Sequence, residues 1–255
     1  MHTTIAIKAV LITVPLSHFC EKVRWALDRA AVAYHEEPHA PLLSRLATRR
    51  GAGSSVPVLI HGDRHFIDST EILAHIDALR GGDFLYPLEA AARREVDVLE
   101  ERFDAELGPH TRRWVYSMLL PDKKLVRSLW SSGVPRGEAR LVPLIAPLAR
   151  YMVRKGYRIT PQSARRSLDR VRQVFKDVGE KLSDGRAYLL AGRFTAADLT
   201  FASLAAPMLL PAECRAVQPS LEDLPSVMRE EVLRMRDTPA GRFALRLFAE
   251  KRGVN

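Results

Sequence analysis

The sequence predicts two unlike parts: an α/β unit over residues 1–82 and an all-α helical-bundle domain over residues 88–255. Residues 1–80 alternate short β-branched runs with amphipathic stretches, while residues 86–255 keep helical periodicity. Between them, Gly81-Gly82-Asp83 and then Pro87 break the pattern and read as a linker. The chain has 255 residues, 47% hydrophobic and 27% charged, which excludes disordered, collagen-like and low-complexity classes. Its two cysteines, Cys20 and Cys214, exclude a disulfide-stapled secreted scaffold and favour a reducing compartment.

Residues 5–14 are apolar and β-branched with one charge, Lys8, as a strand buried on both faces requires. No small-residue cleavage site follows; Glu21, Lys22 and Arg24 come instead, so the run reads as a strand rather than a leader. After the Pro15-Leu16-Ser17-His18 turn, Phe19, Val23, Ala26, Leu27 and Ala30 recur at helical spacing and predict a helix over residues 18–31. A short strand follows at 32–36, then a polar loop with room for one short helix at 38–55. Residues 56–60 and 65–67 read as two strands joined by a turn at His61-Gly62-Asp63-Arg64. Asp68 opens a helix with Glu71 three residues on as a capping box, and Ile72, Leu73, Ile76 and Leu79 form its inner stripe. The order β-α-β-(α)-β-β-α matches a thioredoxin-like domain on a mixed four-stranded sheet.

In the second half, helices are expected over 88–107, 136–155, 160–182, 195–209, 224–233 and 239–249. Thr195-Ala196-Ala197-Asp198 is a second capping box, with Phe194 ahead of it as a hydrophobic staple. The run behind it is apolar enough to lie at the centre of the domain. No stretch approaches the ~18 apolar residues of a membrane span, and a cytosolic protein is expected.

Net charge is +9, and its excess is local: residues 112–172 carry 15 basic and 3 acidic side chains. Such a stretch suits anionic partners, whether nucleic acid, acidic lipid or an acidic substrate, or is a set of solvated faces in an Arg-rich chain. Trp114, Tyr116, Trp130, Tyr151 and Tyr157 interleave with it, but no nucleic-acid motif is present and no nucleic-acid partner is expected.

The loop that carries chemistry is the first. Ser17 falls where a buried strand hands over to a helix, and free N–H groups there favour negative charge. A hydroxyl at that point can donate to a thiolate; it can equally be a plain N-cap. Cys20, three residues on, keeps the spacing of a Cys-x-x-Cys pair without its first sulfur, which disfavours dithiol exchange. It is a reactive lone thiol or a small buried residue. Val56-Pro57 ahead of a strand fits a cis-proline beside backbone free to pair with a peptide-like ligand, or an edge-strand proline. The N–H groups behind Asp68-Ser69 can hold a carboxylate or merely be capped. His35, His39, His61 and His65 lack a further ligand at usable spacing, so no metal site is expected.

In this order, the segments Ser17–Arg24, Ser55-Val56-Pro57-Val58-Leu59, Asp68-Ser69 and Phe194–Leu199 resemble the glutathione S-transferase superfamily. The resemblance implies glutathione as co-substrate, a small apolar electrophile as second substrate, and a homodimer. It gives Ser17 the activating role, Val56 and Pro57 the cysteinyl part of glutathione, and Asp68 and Ser69 its γ-glutamyl end. It makes the Thr195–Asp198 box structural. His18 stands where related loops have Pro, and Asp68 where they have Glu or Gln; the stretch 112–157 is longer than a compact member leads one to expect. The departures at His18 and Asp68, with the Arg-rich middle segment, leave the alternative of a non-catalytic binding or scaffold protein of this fold; Cys20 in place of Ser17 at the ligand leaves that of a thiol reductase.

Overall fold

The computed structural model describes residues 9–51, 53–190 and 192–252. Its first unit is a four-stranded sheet in the order β2-β1-β3-β4. β1 (Ala9–Thr13) and β2 (Tyr34–Pro38) are parallel, joined through α1 (His18–Arg29); β3 (Val58–His61) and β4 (Arg64–Phe66) add antiparallel. This is the expected thioredoxin-like arrangement. Leu11 and Ile12 of β1 point to opposite faces and are both fully buried, which is why the strand carries no polar alternation. Residues 5–8 of the expected first strand lie outside the described residues.

Boundaries shift where local chemistry outweighs periodicity. β2 starts two residues later than expected, and β3 begins only at Val58, because the cis Val56–Pro57 bond lies ahead of it. The β3–β4 turn uses Gly62 at φ 62°, a conformation glycine adopts without steric cost. The loop between β2 and β3 holds one short helix, α2 (Ser44–Thr48). In α3 (Ser69–Leu79), Ile72, Leu73 and Ile76 are buried, but Leu79 at its end is exposed.

The remainder is helical. α4 (Ala90–Arg102) runs through a π-type turn at Phe103–Leu107 into α5 (Gly108–Leu119), and α6 (Lys123–Ser131) follows. The sequence reading stops the first of these at residue 107 and assigns nothing at 108–131. Gly108-Pro109 looks like a break, yet proline in the first turn of a helix lacks only an N–H that has no partner there. α7 (Arg136–Gly156) keeps its helix through Pro143 and Pro147. α8 (Pro161–Lys181), α9 (Ala196–Leu209), α10 (Ser226–Arg236) and α11 (Pro239–Leu247) complete the bundle close to their expected positions.

α9 is the central helix: apart from Pro207 all its residues are buried. Its capping box forms as expected, with Asp198 accepting from Thr195 N (2.8 Å) and also from Leu189 N (2.7 Å). Phe194 is buried against Trp25 of α1. α1 packs against both α3 and α9, so it joins the sheet unit to the bundle. The join carries charge. Lys22, fully buried, lies 2.8 Å from both Glu100 and Asp104 of the π-turned helix, and Tyr86 donates to Glu100 at 2.7 Å. Glu21 meets Arg252 at 2.7 Å, and Arg24 meets Glu36 at the same distance. The Glu21-Lys22-x-Arg24 run is therefore a row of paired buried ions rather than a solvated face.

Candidate functional site

β1 ends in the turn Val14–Leu16, where Ser17 N donates to Val14 O at 2.9 Å and α1 begins. Ser17 caps that helix: its Oγ accepts from Cys20 N at 3.3 Å. Accepting leaves the hydroxyl proton free to donate elsewhere. Ser17 is half-buried and lines a cleft of about 220 Å³ between the sheet unit and the bundle. The cap reading and the donor reading are compatible, since one oxygen serves both.

The next residue ties this loop to the bundle. His18 is buried, and its Nε2 lies 3.1 Å from the carbonyl of Gly108 at the start of α5. A carbonyl only accepts, so Nε2 carries the proton. Burial, and then the nearby Arg112 cation, lower the imidazole pKa to about 3, so it stays neutral. The close approach depends on Gly108: a Cβ there would sit 2.5 Å from Cζ of Phe19. His18 thus tethers the first loop to the helical domain by a hydrogen bond.

The two walls of the cleft differ. On one side are Ser17, Ser54, Ser55 and Val56 of the sheet unit, with Arg45 at the rim. On the other are Val115, Tyr116, Leu119, Met152, Val153 and Pro207. Arg112 projects between them, its guanidinium 4.2 Å from the Tyr157 ring centre and 5.8 Å from that of Phe19. Its Nε is buried with no hydrogen-bond partner among the described residues. No carboxylate lines this cleft among the described residues, while Arg45 and Arg112 do. Cations, the α1 N-terminus and a hydroxyl thus converge on space bounded opposite by apolar surface, which favours a small anion beside an apolar molecule.

The sequence-derived site residues separate here. Ser17 and Val56 meet in the cleft. Pro57 is buried behind Val56, in the cis peptide. Cys20 is fully buried in α1, does not line the cleft, and has its thiol pKa raised by burial. Asp68 and Ser69 do not line the cleft either. Asp68 caps α3 itself, its Oδ1 accepting from Thr70 N (2.8 Å) and Glu71 N (3.3 Å), so these N–H groups are already occupied. Cys214 is free, with burial pushing its thiol up to about 12. His61 pairs with His75 at 2.9 Å. Arg112, Tyr116, Met152 and Tyr157 line the cleft without a sequence motif that marks them as site residues. The Arg and aromatic content of 112–157 was their only trace in the sequence.

The far wall comes mostly from α5 and α7. α7 reaches from the sheet unit, where Glu138 accepts from His39 Nδ1 (2.6 Å) and Ala40 N (2.7 Å), to the turn at Tyr157. There Arg113 Nε donates to Tyr157 O at 2.8 Å. A second, larger cavity of about 770 Å³ lies among α5, α7 and α8 and shares Tyr116 with the cleft.

Residues 11–84 match the family model described as "Glutathione S-transferase, N-terminal domain". No curated protein matches the sequence. Among solved structures, a glutathione S-transferase from Xanthobacter autotrophicus Py2 is similar at TM-score 0.61 and 14% identity, covering 97% of this chain and 96% of that one. The beta-etherase LigF from Sphingobium sp. strain SYK-6 aligns at TM-score 0.60 and 16% identity, with 94% and 99% covered. Gtt2 from Saccharomyces cerevisiae aligns at 0.57 and 18%, with 92% and 100% covered. At these identities the likeness is one of fold.

Proposed function

We propose that this chain, a protein of the glutathione S-transferase fold with the family's N-terminal domain, activates the thiol of glutathione for attack on a small apolar electrophile. The observation that carries this reading is the cleft without carboxylates in which Ser17, at the N-terminus of α1, faces apolar side chains of α5 and α7. The hydroxyl of Ser17 donates to the sulfur, and the helix N-terminus and Arg112 stabilise its negative charge. The thiol pKa falls, and the proton passes to water. The thiolate forms a carbon–sulfur bond with the electrophile, and the leaving group departs with the bonding pair. The protein contributes orientation and fixed charge rather than a covalent intermediate. Val56, outside the β3 ladder, offers backbone to the cysteinyl unit. A homodimer in the cytosol belongs to the same proposal through the family resemblance. Cys20 has no part in it.

Calorimetric titration with glutathione, paired with ultraviolet titration of the bound thiolate, tests the proposal. Ser17→Ala should raise the apparent thiol pKa and lower turnover of an aryl halide by roughly 10²-fold, the scale of one lost donor to a developing anion. No heat of binding, or an unchanged pKa in Ser17→Ala, would overturn it. The self-capped Asp68 favours one second reading, a binding protein of this fold without turnover. Binding with no thiolate formation and no turnover would support that reading.

A further inference from the structure

α7 has an outer face that the cleft does not use. At 3.6 residues per turn, the solvent arc of this helix carries Leu141, Leu144, Leu148 and Tyr151, with Pro143 and Pro147 beside them. The four larger side chains are 46%, 78%, 57% and 61% exposed. A scattered exposed leucine needs no explanation, but a stripe at helical spacing does. The charged residues on the arc are Arg136, Arg140, Arg154 and Lys155, all basic. The acidic side chain of this helix, Glu138, is turned inward onto His39 and Ala40. The neighbouring α6 exposes Lys123, Lys124 and Arg127. Among the described residues, the cavity bordered by Pro147, Tyr151 and Arg154 is lined by Arg150 and Arg165 as well and by no carboxylate.

From this we infer that α7 is a membrane-docking helix, which lies in the interface of an anionic bilayer with Leu141, Leu144, Leu148 and Tyr151 inserted and its Arg and Lys side chains on lipid phosphates and carboxylates. Charge selects this occupant. An apolar stripe alone would suit a second copy of the chain, but a second copy would set one basic arc against another. An anionic surface neutralises that field, and aliphatic side chains flanked by cations have the composition of interfacial helices. The inner face of the same helix supplies Met152 and Val153 to the cleft, so docking brings the cleft beside the phase in which apolar electrophiles concentrate. The inference stands apart from the thiol chemistry, because its readout involves no glutathione.

Co-sedimentation of the full chain with vesicles tests it, comparing pure phosphatidylcholine with an equimolar mixture of phosphatidylcholine and phosphatidylserine. The protein should partition onto the anionic vesicles about tenfold or more better than onto the neutral ones, and less so as salt is raised. The double variant Leu144→Glu/Leu148→Glu should lose that binding, and Arg140→Glu/Arg154→Glu should lose its preference for anionic lipid. Leu88→Glu, at an exposed leucine away from α7, should bind as the wild type does. Because all these positions are exposed, melting curves should show each variant folded. Equal partition onto the two vesicle types, or full binding by the double leucine variant, would overturn the inference. So would a concentration-dependent dimer, seen by sedimentation velocity, that Leu144→Glu/Leu148→Glu dissolves; the face would then belong to a second copy.

Discussion

Lowering the pH from 7 to 5 should destabilise the protein through His18, and the size of the effect follows from its contacts. In the folded chain the imidazole is buried, donates to the carbonyl of Gly108 and sits near Arg112; its pKa is lowered to about 3 from 6.5. Between those two values the unfolded chain holds a proton that the folded chain does not. The stabilisation is therefore complete above pH 6.5 and is lost as the pH falls. At pH 5 the gap is about 1.5 pH units, worth about 2 kcal/mol at 1.36 kcal/mol per unit. For a chain of this size that is a fall in Tm of about 4–8 °C. Other groups titrate in the same window, so the comparison is with His18→Gln, which keeps an N–H donor but takes up no proton. Urea unfolding of both proteins at pH 7 and pH 5 gives the difference directly. The wild type should lose about 2 kcal/mol more than the variant. Equal losses would refute the account of His18 as a buried neutral tether between the two units.

Two further substitutions probe the same junction. Lys22→Ala leaves Glu100 and Asp104 without their shared cation; about 3–5 kcal/mol should be lost in denaturant unfolding, and adding Glu100→Gln should recover part of it. A loss below about 1 kcal/mol would mean that the cluster contributes no more than a surface pair. Gly108→Ala puts a Cβ at 2.5 Å from Cζ of Phe19 and should cost about 1–3 kcal/mol in thermal unfolding, whereas an unchanged Tm would show that the ring has room to move.

Much of the fold was legible because its signals are local. Asp68 and the Thr195–Asp198 box announce their helices through capping, and the apolar run at 9–13 announces a buried strand through the absence of alternation. α5 and α6 were not legible, since Gly108-Pro109 imitates a terminus and the continuity of the helix depends on Phe19 and His18, some ninety residues earlier. The site divides in the same way. Ser17 is marked by its place after a strand, a property of neighbouring residues. Arg112 and Met152 belong to the cleft only because α5 and α7 fold back across it, which no spacing encodes. The charged run after Ser17 has the same character: the partners of Glu21 and Lys22, at 252, 100 and 104, are brought to them only by the fold.

That first helix also bears on synthesis. Glu21 obtains its closest cation from Arg252, 231 residues further along, and the Trp25 indole donates to the carbonyl of Lys251. Until that later segment is made, the nascent first unit holds a carboxylate without the counter-ion it has in the folded molecule. Completion of the opening domain thus waits on residues far along the chain, and its final contacts cannot close while only its own residues have been made.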